Sequence, residues 1–168
     1  MMSAPKVAVV MGSDSDFDKM KGCITRLKSF KIEPVVRVIS AHRTPDEAER
    51  FAKSAQENGI EVIIAAAGKA AHLGGVLAAF TTLPVIGVPI KSSTMDGLDS
   101  LLSMVQMPSG IPVACVAIDG AENAAILAAQ MLALKYGEIG QLLAEHKMAM
   151  AEAVAQKDKK LQEAVAQL

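Results

Sequence analysis

Ser40, His42 and Arg43 stand within the stretch Val38-Ile-Ser-Ala-His-Arg-Thr-Pro-Asp46. A hydroxyl, an imidazole able to give and take a proton near neutral pH, and a permanent cation thus share one short segment. Such a set can hold an anion and move a proton beside it. Gly12-Ser13-Asp14-Ser15-Asp16 has related chemistry. Its backbone amides face outward at a helix start, and the Ser13 and Ser15 hydroxyls add donors, which makes a ready anion site. Gly12 would let the backbone turn tightly there. Asp16 would repel a phosphate placed against it but suits ribose hydroxyls one step further out. In Ala67-Gly68-Lys69-Ala70-Ala71-His72-Leu73-Gly74-Gly75, three glycines let a ligand close to the backbone, and Lys69 and His72 are the only polar side chains. Each stretch also has a plainer reading. Ser and Asp are ordinary N-cap residues, the 40–46 segment could be a capped turn with solvated side chains, and a His among Ala and Leu is commonly a satisfied core histidine.

The elements that must position these segments alternate along the chain. Residues 6–11 read as a short apolar strand and 16–30 as a helix with Phe17, Met20, Ile24 and Leu27 at helical spacing. Val35, Val36, Val38 and Ile39 are a β-branched run of buried-strand type. Thr44 is a good N-cap, Pro45 suits the first helical position, and Glu47 completes a capping box for a helix running to Asn58-Gly59. Strands follow at 61–66, 83–88 and 111–118, and helices at 70–80, 97–105 and 121–136. Strands this apolar need cover on both faces, as in a parallel sheet, and right-handed crossovers then give a three-layer doubly wound α/β domain. The strand order expected is flavodoxin-like, although periodicity leaves a Rossmann-type order open. In either order ligands sit beyond the carboxyl ends of the strands, where all three segments fall. The catalytic domain is expected over 1–136. A long C-terminal helix over 137–168 carries Ile139, Leu142, Leu143, Met150, Val154, Leu161 and Val165 as a loose apolar stripe, more than one subunit can cover. That helix is expected to lie on a neighbouring subunit of an oligomer.

Composition narrows the function. With 168 residues, 51% of them hydrophobic and 21% charged, the chain is the size and type of one globular domain. A net charge of −1, four Phe, one Tyr and no Trp argue against nucleic-acid binding. No run is long enough to span a bilayer and the N-terminus lacks a signal-peptide layout, so no membrane role and a cytoplasmic location are expected. Cys23 and Cys115 sit apart in apolar segments and read as small buried hydrophobes. No cluster has metal-ligand spacing, and there is no Gly-x-Ser-x-Gly elbow, Gly-x-Gly-x-x-Gly fingerprint or Gly-Lys-Ser loop.

Several stretches together carry a closer resemblance. Gly12-Ser13-x-Ser15-Asp16, Ser40-Ala41-His42-Arg43-Thr44-Pro45, Ala67-Gly68-x-Ala70-Ala71-His72-Leu73, Pro84-Val85-Ile86-Gly87-Val88-Pro89, Gly97-x-Asp99-Ser100-Leu101 and Val105-Gln106-Met107-Pro108-x-Gly110 occur in one order from Val7 to about Leu134. The chain resembles the 5-(carboxyamino)imidazole ribonucleotide mutase family of purine biosynthesis. The resemblance implies a flavodoxin-like fold, a homo-octamer with active sites shared between subunits, no cofactor, and a functional link to an ATP-dependent carboxyaminoimidazole ribonucleotide synthase. It implies that Ser13, Asp16 and Arg43 hold the ribonucleotide and that His42 moves the proton. Gly12, Ser15, Ser40, Ala41, Gly68, Lys69, Ala70, His72 and Leu73 complete the expected substrate site. Lys69 stands where the family usually has Gly, and Gly74 where it usually has Pro. The family's other branch carboxylates aminoimidazole ribonucleotide directly with CO2; the Ala-His-Leu-x-Gly run resembles the mutase branch.

Readings of other classes fit less well. A flavin carrier on this fold would stack its ring on aromatics that the chain lacks. A phospho-receiver needs an acceptor Asp at the end of the third strand, where Ala65-Ala66-Ala67 stands. A phosphate- or nucleotide-binding module without catalysis remains the alternative from another class.

Overall fold

Successive residues of the central strands point to opposite sides, and both sides are apolar. In β1 (Lys6–Met11), Val7, Val9 and Met11 face one way and Ala8 and Val10 the other, all essentially inaccessible. The computed structural model, which describes residues 4–168, places β1, β2 (Glu33–Val38), β3 (Ile60–Gly68), β4 (Val85–Ile90) and β5 (Ala114–Cys115) in one parallel sheet of order β2-β1-β3-β4-β5. This is the flavodoxin-like order, and it excludes the Rossmann alternative.

Helices cover both faces. On one lie α1 (Phe17–Ser29) and α5 (Ala121–Ala133), packed on Val62, Ile64, Ala66, Ile86 and Val88. Ala121, Ala124, Ala125, Ala128 and Ala129 form the buried stripe of α5, and such small side chains let the helix lie close to its neighbours. On the other face α2 (Pro45–Ser54), α3 (Leu73–Ala79) and α4 (Leu98–Val105) enclose Ile63, Ala65 and Val85. Cys23 is fully buried in the stripe Met20, Cys23, Leu27, and burial pushes its thiol up to about 12. Phe17, expected on that stripe, is exposed beneath the Lys21 ammonium.

The edges depart from the expected pattern. β2 is not a buried strand: it pairs only with β1, and Val36 and Val38 are 38% and 52% exposed. β5 shrinks from eight expected residues to two, because only Ala114 and Cys115 pair with the neighbouring β4. α2 ends at Ser54, short of the left-handed Gly59, and α3 starts at Leu73, after a turn in which the His72 amide donates to Ala70. α6 (Gly137–Val165) is a single helix of 29 residues, about 43 Å long at 1.5 Å per residue. Ile139 is buried with α1 and α5, and Leu142 and Leu143 pack beside it; from Lys147 onward every residue is exposed.

Candidate active site

The strand order reverses between β1 and β3, so the connections leaving them diverge to opposite faces and open a crevice at their carboxyl ends. A cavity of about 430 Å³ lies there. The segments after β1, β2, β3 and β4 all border it, and it gathers Gly12, Ser13, Ser15, Asp16, Ser40, Ala41, His42, Arg43, Gly68, Lys69, Ala70 and Leu73. His72, the remaining expected site residue, stands beside the cavity and reaches it through His42. His72 Nδ1 is 2.8 Å from His42 Nε2, and the rings meet edge to face at 5.0 Å between centroids. His72 is exposed, so it is not a satisfied core histidine. A larger cleft of about 910 Å³ opens at the opposite end of the sheet, between Phe80–Val85 and Gly110–Pro112, but Lys53 is its only titratable side chain.

Local hydrogen bonds set each segment. After β1, Ser13 caps a single 3₁₀ turn (Asp14–Asp16) by accepting from the Ser15 amide at 3.3 Å, and the Ser15 hydroxyl donates to Ser13 Oγ at 2.9 Å. Gly12 does not make a tight turn; its amide extends the sheet ladder to Ala66, and a side chain there would meet only ordinary contacts. After β2, the expected capping box is absent. The Thr44 hydroxyl turns back to Ser40 instead, accepting from its amide and donating to its carbonyl at 3.0 Å each. Glu47 pairs with Arg37 and Arg50. The 40–44 segment is thereby closed on itself, with the Ser40 hydroxyl accepting from the Arg43 amide at 3.2 Å. After β3, only Gly68 of the three glycines borders the cavity, and a Cβ on it would press on the Ile90 carbonyl at 3.3 Å. Gly74 and Gly75 face Val113 and Met107, so their smallness serves packing rather than ligand approach.

Charge is distributed unevenly. Burial raises the Asp16 carboxyl above its ordinary value; the Ser15 hydroxyl bond opposes the rise, while Asp119 and Asp14 add to it by repulsion. Burial also pushes Asp119 upward, but bonds from Lys19 and the Lys91 amide outweigh it, and the Asp119 carboxyl ends below its ordinary value. Asp119 thus ties the segment after β4 to α1. Arg43 and Lys69 border the cavity without a carboxylate partner among the described residues. Those residues also contain no group of three metal-ligating side chains. The arrangement can bind an anion between hydroxyls and a guanidinium, accept hydroxyls at Asp16, and pass a proton at His42.

A sequence model of the family described as AIR carboxylase matches residues 6–153. The chain belongs to the AIR carboxylase family. An N5-carboxyaminoimidazole ribonucleotide mutase of Pyrococcus horikoshii is 56% identical to it over 159 residues, covering 95% of this chain and 90% of the relative. One from Thermotoga maritima is 54% identical over 159 residues, covering 95% and 93%. The crystal structure of Treponema denticola PurE superposes with a TM-score of 0.85 at 31% identity, covering 94% of this chain and 98% of that one. In this AIR carboxylase family member the cavity also includes Ala67, the first residue of the small-residue stretch expected at the site, and Ile90, Lys91, Ser92 and Ser93, which the sequence places in a polar flap after the fourth strand. That flap leaves β4 at the same edge, where the switch-point rule puts ligands.

Proposed function

We propose that this chain is a 5-(carboxyamino)imidazole ribonucleotide mutase of purine biosynthesis, moving a carboxylate from the exocyclic nitrogen of the ribonucleotide to ring carbon C4. The contact between His42 and His72 at the mouth of a phosphate- and ribose-sized cavity carries the reading. Ser13, Ser15 and Arg43 take the phosphate, where a guanidinium fork and hydroxyls suit its oxygens. Asp16 accepts from the ribose hydroxyls. Gly12, Ser40, Ala41, Gly68, Lys69, Ala70 and Leu73 line the remainder of the substrate site.

His42 is the catalytic residue. It gives a proton to the carbamate nitrogen; the N–C bond breaks, its electrons stay on the nitrogen, and CO2 leaves. C4 then attacks the trapped CO2, and the C4 proton passes back to the imidazole, so the ring ends as it began. One group acting as both acid and base needs no cofactor. Ala67 and Leu73, both buried, give the cavity small apolar walls that keep water from the reacting carbon.

The assembly belongs to the same proposal. The chain forms a homo-oligomer, an octamer as the resemblance implies, with the distal half of α6 laid on a neighbouring subunit. Met150, Val154, Leu161 and Val165, each about half exposed or more, support this. The substrate comes from an ATP-dependent synthase acting in the cytoplasm.

The test is to mix the protein with the carboxyamino ribonucleotide without ATP and to follow the C4-carboxylate. Its formation at enzymic rates supports the mutase. Consumption of aminoimidazole ribonucleotide and CO2, with no turnover of the carboxyamino compound, would assign direct carboxylation instead. Tight ribonucleotide binding with neither reaction would leave a binding module.

A further inference from the structure

Four residues other than glycine hold a left-handed backbone: Lys31, Lys69, Asp96 and Asp119, with φ of 59°, 56°, 55° and 58°. L side chains rarely take that conformation, and where it persists it concentrates at ligand clamps and tight connections. Three of the four have their charge in an ion pair: Lys31 with Glu138, Asp96 with Lys91, and Asp119 with Lys19. Lys69 alone does not. No carboxylate among the described residues lies within ion-pair distance of it. It is exposed between Gly68 and Ala70, on the rim of the cavity.

The cavity has three cationic side chains, Arg43, Lys69 and Lys91. Lys91 is engaged by Asp96 at 3.1 Å. That leaves Arg43 and Lys69, carried on the segments after β2 and β3, the two strands that flank β1. Substrate and product of the proposed reaction each carry two anionic groups, a phosphate and a carboxylate. The species between them, a free amine beside CO2, keeps only the phosphate. A planar guanidinium suits the phosphate, and a compact ammonium point charge suits the carboxylate. Lys69 also shares its segment with His72, on the side of the proton-moving rings.

We infer that Lys69 is a specificity-determining residue whose ammonium pairs with the migrating carboxylate, in substrate and product alike. This rests on the mutase reading above. As CO2 forms, the carboxylate loses its charge, so the pairing is stronger in both ground states than in the transition states between them. Lys69 therefore selects carboxylated ribonucleotides at binding, and its loss should raise KM without lowering kcat.

Calorimetry with two ligands tests this on the full chain: aminoimidazole ribonucleotide, and the same molecule carrying the C4-carboxylate. They share phosphate, ribose and ring. Lys69→Gly removes the charge while glycine keeps the left-handed backbone without strain, so the variant folds. It should bind the carboxylated ligand about ten- to a hundredfold more weakly, the scale of one charged hydrogen bond, and the decarboxylated one unchanged. Lys69→Arg, with its charge retained, should stay within about threefold of wild type for both ligands, well inside one hydrogen bond's worth. Equal losses for both ligands in Lys69→Gly, or no loss for either, would overturn the inference while the mutase reading stands. A wild-type protein that neither binds these ligands nor turns over the carboxyamino ribonucleotide would overturn both.

Discussion

His42 Nε2 and His72 Nδ1 lie 2.8 Å apart, bringing together rings from the segments after β2 and β3 across the end of β1. At that distance one ring donates and the other accepts, so the proton of the contact belongs to one imidazole at a time. A carrier that must give a proton and then take one back is served by such a partner. In the proposed reaction His72 would hold the His42 ring and accept from it when His42 is charged.

Changing His42 to Asn keeps a polar amide at the position of Nδ1, but removes the titrating group and the Nε2 that meets His72. General acid–base catalysis by one positioned group is worth about 10²–10⁴ in rate, or roughly 3–6 kcal/mol of barrier. In the proposed reaction the group acts twice, so kcat should fall by the upper end of that range or more. Ligand affinity by calorimetry should survive, since Ser13, Ser15, Asp16 and Arg43 are untouched. Near-normal turnover would move the proton-carrying role to His72.

In the proposed reaction His72 acts through His42, so its removal should cost less. In His72→Ala the His42 ring loses its partner; kcat should drop about tenfold, or 1.4 kcal/mol, with KM little changed. His72→Asn, whose side-chain amide overlays Nδ1, should recover part of that loss. Steady-state kinetics on the two variants checks the order: a purely structural role would lower the amount of folded enzyme without the partial rescue by Asn.

Much of this architecture is legible in the sequence because the physical signals are local and repeated. The β-branched runs of β1, β3 and β4, apolar on both faces, require a parallel sheet covered by helices. The switch-point rule then brings the segments containing Ser13, His42 and Lys69 to one edge. What the sequence hides is long-range or edge-dependent. Pro34 and Arg37 are local marks of an edge strand in β2, but beside them Val36 and Val38 read like core residues until their one neighbour is known. Thr44 and Glu47 satisfy the capping-box pattern, yet Ser40 on one side and Arg37 with Arg50 on the other compete for them and win. His72 looks like a core histidine among small residues, and only the fold shows that it meets His42, thirty positions away. The left-handed backbone of Lys69 is not written in its residue type, since lysine, unlike glycine, asparagine or aspartate, does not advertise it; only the glycine that the family usually has there hints at it.

Asp16 is expected to cost the ligand-free protein stability at neutral pH. Its folded-state carboxyl is raised, chiefly by burial, so the folded chain holds that proton more tightly than the unfolded one. Stability from this group is fully present at pH below the ordinary carboxylate value and is lost as pH rises through the raised one. Asp16→Asn should therefore melt at a higher temperature than wild type at pH 7, with the difference closing in acid. The same change should weaken ribonucleotide binding by about tenfold or more, as acceptors for the ribose hydroxyls lose their charge. Melting curves at pH 7 and pH 4, set beside calorimetry, read both effects. A variant that is destabilised at pH 7 would show that burial of Asp16 is not the governing contribution.

The distal half of α6 makes the last prediction, and the packing of its first turns fixes where the chain should be cut. Truncation after Tyr136 would remove Ile139, Leu142 and Leu143 from the core between α1 and α5, and would also remove His146, whose ring stands edge-on to Phe30. Loss of a buried Ile side chain alone costs about 2–5 kcal/mol, so that truncation would mix unfolding with disassembly. Ending the chain after Lys147 spares all of these groups, because from there on every side chain is exposed in the single subunit. If Met150, Val154, Leu161 and Val165 lie against a neighbouring subunit, the shortened protein should keep its melting temperature at concentrations where the wild type is dissociated. Its mass by light scattering should fall, and so should its turnover, because the proposed sites are shared between subunits. An unchanged mass with full turnover would mean that the distal helix is a solvated extension of the domain and that other surfaces hold the subunits together.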